Sequence, residues 1–184
     1  MKSIGAQIKY EKIGNDEVTV EIIPYLIPSK KTILNLWVGA WSFCGLIILI
    51  SLFTYGFKED EYIMVGIFLI FWGYFEVKVV SAVVWNRTGR EVVTIKNSEF
   101  SYLKEMNGRG LPKITPLKNM SDFKYADDVE TGIWSDINKS SWMIGGEVIE
   151  YNADDGGRRL GMKLPKKDAE QLVQLLNKTA RINA

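Results

Sequence analysis

Two long runs of apolar residues dominate the hydropathy pattern between residues 32 and 85. The first, Ile33–Tyr55, has no charged side chain, and the second, Tyr62–Trp85, has only Glu76 and Lys78. About 20 consecutive apolar residues suffice for a helix to cross the hydrocarbon core of a bilayer. A buried helical hairpin in a soluble domain is disfavoured, because the remaining chain holds too little apolar sequence to wrap two such helices. The pattern therefore predicts two transmembrane helices.

Basic residues close to the two runs predict the orientation of this hairpin. Lys30 and Lys31 precede the first run and Arg87 and Arg90 follow the second, whereas the connecting loop offers only Lys58. Lys and Arg near helix ends are retained on the cytoplasmic side. We therefore expect both termini in the cytoplasm. The first 32 residues lack the apolar core and cleavage site of a signal peptide, so we expect the first helix to act as its own insertion signal.

Strand-forming residues alternate with polar ones before the hairpin. Two runs, Gln7–Ile13 and Glu17–Ile23, flank Gly14-Asn15-Asp16, whose composition is typical of a tight turn. Val18, Val20 and Ile22 share one face of the second run, and this face must be covered. Because an isolated two-stranded hairpin is marginally stable in water, we expect it to pack on the C-terminal segment or on another subunit.

Short segments with strand patterns follow the second apolar run, separated by turn residues, and one amphipathic helix is predicted from about Lys166 to Lys178. This pattern predicts an α+β domain, an antiparallel curled sheet or small barrel closed by the C-terminal helix. The chain thus divides into N-terminal strands leading to the first helix (1–31), a transmembrane helical hairpin (32–85) and a cytoplasmic domain (86–184). The predicted strand segments are Glu91–Lys96, Phe100–Met106, Leu111–Leu117, Asp122–Ala126, Glu147–Tyr151 and Arg158–Leu164.

The layout of the chain carries a resemblance to a known group of proteins. A short N-terminal segment and an apolar hairpin lead into VVWNRTGREVVTIKNSEFSYLKE, and GEVIEYNADDGGRRLGMKL precedes the final helix, DAEQLVQLLNK. Over residues 32–178 this order resembles small bacterial membrane proteins that carry a PH-like domain, with Trp85, Gly89-Arg90-Glu91 and Gly161 among the matching positions. The resemblance implies a PH-like sheet with one C-terminal helix at the cytoplasmic face of the bacterial inner membrane.

A more distant likeness is to the photosystem I assembly protein of chloroplasts and cyanobacteria. It lies in the length of the chain, the position of the hairpin and the segment Val20–Pro24 (VEIIP). Apart from Val20–Pro24, the segments outside the hairpin do not align with that protein, so no function is transferred from it.

Composition argues against most catalytic chemistry. The chain has no histidine, the commonest general base and metal ligand, and its single cysteine, Cys44, lies within the first apolar run. The acidic clusters Glu59-Asp60-Glu61, Asp127-Asp128 and Asp154-Asp155 lie in predicted loops, and Asp154-Asp155 lacks the spacing and terminal glutamate of a calcium loop. Residues 86–184 carry 16 basic and 14 acidic side chains, a balance unlike that of nucleic-acid-binding domains. We therefore expect no enzymatic activity, no cofactor, no metal and no nucleic-acid partner.

Glu76 and Lys78 are the unusual polar residues of the predicted hairpin. An ionisable group at this depth costs about 2.5–3.5 kcal/mol on insertion scales, which makes it a candidate functional residue. Lys78 is seven residues from Trp85, so its long stem can extend toward the interface. Antiparallel pairing of the helices would place Glu76 near Trp41 and Ser42. Three roles remain open for Glu76: a hydrogen bond within the hairpin, a contact with another subunit, or ion or proton conduction in an oligomer.

Two further sets of residues are candidates for binding. Basic side chains of the C-terminal segment could contact lipid headgroups, although interspersed acidic residues favour an ordinary mixed-charge surface. Trp134 and Trp142 lie in an irregular stretch and are candidates for contact with a partner protein, or equally for core or membrane-dipping positions. The basic candidates are Arg87, Arg90, Lys104, Arg109 and Lys113, with Lys118 and Lys124 further along the chain.

Three functions are compatible with these features. The first is a non-enzymatic membrane scaffold or assembly subunit, which binds lipid and either a membrane-protein partner or further copies of itself. The second is a lipid- or ligand-sensing module that uses the basic surface. The third is an oligomeric protein that conducts ions or protons through Glu76. The absence of catalytic residues favours the scaffold.

Overall fold

A computed structural model describes residues 1–14, 16–126, 143–153 and 156–183. Within this part, the chain forms two long helices, nine strands and a C-terminal helix. They divide into two compact units. The first contains Met1–Tyr25 and the described residues from Val84 onward, apart from a short segment before Gly145; the second is formed mainly by Leu26–Val83. The N-terminal strands therefore belong to the same unit as the C-terminal segment.

A six-stranded antiparallel sheet forms most of the first unit, in the simple order β1 to β6. The pairing of β3 with β4 joins residues on either side of the long helices, with Val18 opposite Ile95 and Ile22 opposite Glu91. The expectation that the N-terminal hairpin packs on the C-terminal segment is confirmed. The strands are β1 (Lys2–Ile4), β2 (Ile8–Ile13), β3 (Glu17–Ile22), β4 (Arg90–Lys96), β5 (Glu99–Glu105) and β6 (Lys113–Pro116).

A second antiparallel sheet contains β7 (Lys124–Tyr125), β8 (Glu147–Ala153) and β9 (Gly156–Met162). The last two strands form the hairpin predicted from the Asp- and Gly-rich sequence, with Ala153 opposite Gly156. Both strands run further toward the turn than predicted, because residues 152–153 and 156–157 hold ladder positions that their loop-like composition hides.

The core lies where these two sheets and the C-terminal helix meet. Alternate residues of β3 and β4 face inward, as period-two patterning predicts, and the helix, α3 (Lys166–Asn183), adds Ala169, Leu172 and Leu176 from one face. Side chains from both sheets, and Phe123 just before β7, complete the same cluster: Ile8, Val18, Val20, Ile22, Val93, Ile95, Phe100, Ile149, Tyr151 and Leu160. The α+β class and the amphipathic C-terminal helix are thus present in the structure.

The two long helices are α1 (Pro28–Thr54) and α2 (Glu59–Thr88), with 27 and 30 residues. Both are long and apolar enough to cross a membrane, and only 6% of the apolar window of each is buried. Each begins earlier than the apolar pattern predicts. Pro28 suits a first helical turn, where its missing N–H costs nothing.

The polar break before the second apolar run is largely helical. Glu59, Asp60 and Glu61 form the first turn of α2, where carboxylates are favoured by the helix dipole. The Glu61 carboxylate also accepts the N–H of Lys58 at 2.9 Å, which satisfies a donor just before the helix. A cluster that looks like a loop from its charge alone is therefore a helix start.

Candidate functional site

Glu76 contacts α1 from a position near the middle of α2. Its Oε1 lies 2.5 Å from Ser42 Oγ, and Ser42 Oγ is also 2.8 Å from the carbonyl oxygen of Val38. A serine hydroxyl has one proton to donate. The Ser42 hydroxyl proton therefore lies between two acceptors, Glu76 Oε1 and the Val38 carbonyl oxygen. Glu76 is thus held by a hydrogen bond within the chain's own helix pair.

Tight packing accompanies this hydrogen bond on the same pair of helices. Gly45 is buried against the indole of Trp72, so that a Cβ at position 45 would lie 1.9 Å from Trp72 Cε2. The Trp72 Nε1–H donates to the carbonyl oxygen of Trp41 at 3.3 Å, and Trp41 stacks on Trp37 with ring centroids 5.2 Å apart. Glycine at position 45 is therefore required for this approach.

Two polar atoms of this cluster are buried and lack a hydrogen bond to the described residues, Trp41 Nε1 and Glu76 Oε2. Ser42 thus contacts Glu76 as antiparallel pairing predicts, whereas Trp41 contacts Trp72. The unsatisfied donor and the unsatisfied acceptor each carry a free-energy cost in an apolar environment. Lys78 does not belong to the cluster: its ammonium lies 5.6 Å from the ring centroid of Tyr74. The functional role of the cluster stays a prediction.

A second carboxylate, Glu91, is buried in the sheet unit and is only 1% exposed. From β4 it accepts the backbone N–H groups of Gly161 at 2.8 Å and Met162 at 2.9 Å, both on β9. The hydroxyl of Tyr102 on β5 donates to it at 3.1 Å. Glu91 thus links the six-stranded sheet to the three-stranded sheet through hydrogen bonds.

Burial controls the protonation of this neighbourhood. It raises the pKa of the Glu91 carboxyl, an effect opposed by the two backbone N–H groups. Burial, and then the nearby Glu91, raises the pKa of the Tyr102 hydroxyl. The pKa of Lys163 is lowered to about 8, again chiefly by burial. These shifts follow from the cost of placing charge in a low-dielectric core.

Sequence reasoning did not select Glu91 as a site residue, although the signal was present. In the run Glu91–Lys96, period-two alternation places Glu91 on the same face as Val93 and Ile95. A carboxylate on an otherwise apolar strand face is expected to be buried and paired. Its partners could not be inferred, because Gly161 and Met162 lie on a strand of the other sheet.

Arg90 and Lys104, both basic candidates, are already bound to protein groups. Arg90 forms ion pairs with Glu21 at 3.0 Å and Glu105 at 2.9 Å. Lys104 pairs with Glu147 at 3.1 Å, and its ammonium also lies 5.2 Å from the centroid of a Trp85 ring. These side chains therefore stabilise the sheet unit and are poor candidates for headgroup contact.

The ring of Trp85, near the end of α2, lies inside the sheet unit. It is buried, covered by Lys104 and packed so closely on Gly89 that a Cβ at position 89 would lie 2.4 Å from the indole. The physical reason is that α2 ends only three residues later, at Thr88, so its last turn belongs to the sheet unit.

The remaining candidates have different outcomes. Arg87, Arg109 and Lys113 are exposed. Trp134 and Trp142, with the acidic pairs 127–128 and 154–155, lie outside the described residues.

Among the described residues, no group of three or more His, Cys, Asp or Glu side chains could hold a metal ion. No protein-family model, curated protein or solved structure matches this chain.

Proposed function

We propose that this chain is a non-enzymatic integral membrane protein, a scaffold or assembly subunit that presents a PH-like domain at the cytoplasmic face. The observation that carries the proposal is the exposure of the long helices. Only 6% of each apolar window is buried, and large side chains such as Leu36, Phe53 and Ile70 are exposed. Contiguous apolar surface of this extent marks a membrane or protein contact.

The arrangement of the sheet unit supports a PH-like domain. Two antiparallel sheets share one core, and the amphipathic face of α3 covers it. The chain leaves the six-stranded sheet after β3 and returns to it at β4, with the two long helices between. A folded domain is thereby attached to the proposed membrane segment at two points of the chain, which restricts its rotation more than one linker would.

The hydrogen bonds that the two buried carboxyl groups form within the chain support a structural role over catalysis. The Glu91 carboxylate is occupied by two backbone N–H groups and a tyrosine hydroxyl. Glu76 is hydrogen-bonded to Ser42 of the same chain, which favours the first of its three possible roles. A carboxyl group already engaged inside a helix pair contributes to helix association without requiring a conduction pathway.

Purification from the native membrane in a mild detergent tests the scaffold proposal. We expect the full chain to co-purify with a membrane protein in fixed stoichiometry, or as a defined homo-oligomer. A lone monomer under conditions that preserve other membrane complexes would contradict the proposal. The variant Glu76→Gln, compared with wild type, distinguishes a folding defect from an assembly defect. A Gln side chain can still form a hydrogen bond with Ser42, so the hairpin should remain intact. Loss of the complex in this variant would then be a defect of assembly.

A further inference from the structure

Lys78 is a charged residue on the exposed surface of α2. It lies seven positions before Trp85 in the second apolar run, so its Cα is about 10 Å from the end of that run along the helix axis. Glu76, the other ionisable residue of the run, contacts Ser42 of α1. Positions 76 and 78 are about 200° apart around the helix. The two side chains therefore lie on opposite faces of α2 and do not form an ion pair.

The Lys78 side chain points away from the nearer end of the apolar run. Its ammonium lies 5.6 Å from the ring centroid of Tyr74, a residue that is one helical turn closer to the start of α2. Side chains of a helix incline toward its N-terminus, so the backbone favours this direction. The stem therefore places the ammonium nearer to the middle of the apolar run than the Lys78 Cα is.

The described part of the chain offers no counter-charge to this ammonium. None of the ion pairs among the described residues includes Lys78, and contact with the Tyr74 ring compensates a desolvated cation only in part. A charged group at this depth of a spanning helix is costly and is normally paired. We therefore expect the neutralising group to come from outside the chain.

Apolar side chains extend the surface on which Lys78 lies. Ile67, Phe71 and Tyr74 precede Lys78 by 11, 7 and 4 positions, spacings that fall on one face of a helix. Their exposures are 54%, 61% and 56%. These four residues, named here the Lys78 face, combine one cation with a strip of large apolar side chains. Such a surface fits a neighbouring transmembrane helix that carries an acidic residue.

A second copy of this chain does not supply the missing charge. Glu76 is the one carboxylate in the two apolar runs, Ile33–Tyr55 and Tyr62–Trp85. Its Oε1 is bonded to Ser42, and its Oε2 is buried. A second copy would therefore offer no accessible carboxylate to Lys78 at this depth, so the acidic group must belong to a different protein.

We propose that the Lys78 face binds a transmembrane helix of a different membrane protein, and that an Asp or Glu of this helix pairs with the Lys78 ammonium. The inference rests on the proposed function, because it requires α2 to span the bilayer and the chain to assemble with a partner. It adds the contact surface and the chemistry of the partner, and it excludes self-association through this face.

Crosslinking of the full-length chain in native membranes tests this inference. A photoreactive phenylalanine analogue replaces Phe71, and mass spectrometry identifies the crosslinked peptide. We expect this peptide to come from an apolar segment of another protein and to contain Asp or Glu. Its yield should fall several-fold when Lys78→Met is added, and Lys78→Arg should retain it. Because Met favours insertion more than Lys does, a lower yield would not result from a hairpin that fails to insert.

Lys58→Met is the matched control, because Lys58 is also exposed but lies before the second apolar run. We expect it to leave the crosslink unchanged. Exchange of the two charges then identifies the pair: Lys78→Glu should abolish the crosslink, and lysine in place of the partner's acidic residue should restore it.

Several results would overturn the inference. These are the absence of a protein crosslink, a crosslink to a second copy or to a segment without Asp or Glu, and equal yields in wild type and Lys78→Met. If the chain nevertheless co-purifies with a membrane protein in fixed stoichiometry, only the contact at Lys78 is rejected and the scaffold proposal stands. A lone monomer rejects both.

Discussion

Glu91 is the residue whose replacement tests the link between the two sheets most directly. Its carboxylate accepts two backbone N–H groups of β9, whereas a glutamine offers one acceptor oxygen and turns an NH₂ group toward the other N–H. At a pH where the wild-type carboxyl is ionised, we expect Glu91→Gln to lower the free energy of unfolding by about 1–3 kcal/mol, the cost of a buried unpaired donor. Chemical unfolding in micelles, followed by far-ultraviolet circular dichroism, measures this change.

Glu99→Gln is the matched control, because Glu99 is exposed on the neighbouring strand β5. We expect its unfolding midpoint to match that of wild type. Equal midpoints for wild type and both variants would show that the buried hydrogen bonds of Glu91 contribute no stability.

The same carboxyl predicts a pH dependence. Because burial raises the pKa of Glu91 in the folded chain above its usual 4.5, the folded state retains this proton at pH values where the unfolded chain has lost it. Stability should therefore fall as the pH rises from about 4.5 through the raised pKa. Unfolding midpoints across this range should show a loss in wild type that Glu91→Gln lacks, and parallel curves for the two proteins would contradict the assignment.

Packing of the two long helices depends on one glycine. A Cβ at position 45 would overlap the indole of Trp72, whereas nothing lies within 4 Å of a Cβ built at Gly39 on the same helix. We expect Gly45→Val to destabilise the helix pair by about 1–3 kcal/mol, the range for overpacking. Near-ultraviolet circular dichroism of the tryptophans during thermal unfolding in micelles measures this effect. Gly39→Val is the control, and equal loss in both variants would show that the close approach at Gly45 is not needed.

Most elements of this fold were predicted from the pattern of apolar residues. The period of about 3.6 residues in helices and of two residues in strands depends only on residues close in sequence. The long apolar runs gave both helices, and alternation in Glu17–Ile22 placed Val18 and Val20 on the buried face. Helix ends were predicted less well, since Glu59 and its neighbours read as a loop by charge and form a first turn by capping. Strand β1 was missed, because three residues are too few to show a period.

Contacts between distant segments could not be predicted from these patterns. The lengths of the two apolar runs place Glu76 next to Ser42 once the helices are assumed to be antiparallel. The structure has a hydrogen bond between these two side chains. The partners of Glu91 are different, because they depend on how a second sheet packs on the first. Likewise, Arg90 and Lys104 look like free surface charges until strand register, for Arg90, and packing of the second sheet, for Lys104, place acidic side chains beside them.

The sheet unit as a whole is discontinuous in sequence, and this has a consequence for any isolated domain. Removal of β1–β3 would expose the edge of β4 and take Ile8, Val18, Val20 and Ile22 from the core. We therefore expect residues 86–184 alone to aggregate. A chain that joins residues 1–25 to 84–184 through a short Gly-Ser linker should fold, because the end of β3 and the start of β4 are paired neighbours.

Solubility, circular dichroism and amide-exchange protection of the two fragments measure this difference. Exchange protection of β4 should be high in the joined chain and absent from residues 86–184. A stable, monomeric 86–184 fragment would contradict the account of a sheet that needs its N-terminal strands.

The central claim for the whole molecule is that α1 and α2 cross a membrane and leave both termini in the cytoplasm. Single-cysteine accessibility in intact cells tests it directly, in a Cys44→Ser background with Asp60→Cys before the second apolar run or Lys118→Cys in the sheet unit. A membrane-impermeant maleimide should label position 60 in intact cells and position 118 only after lysis. Labelling of position 118 in intact cells, or protection of both positions until lysis, would contradict the claim.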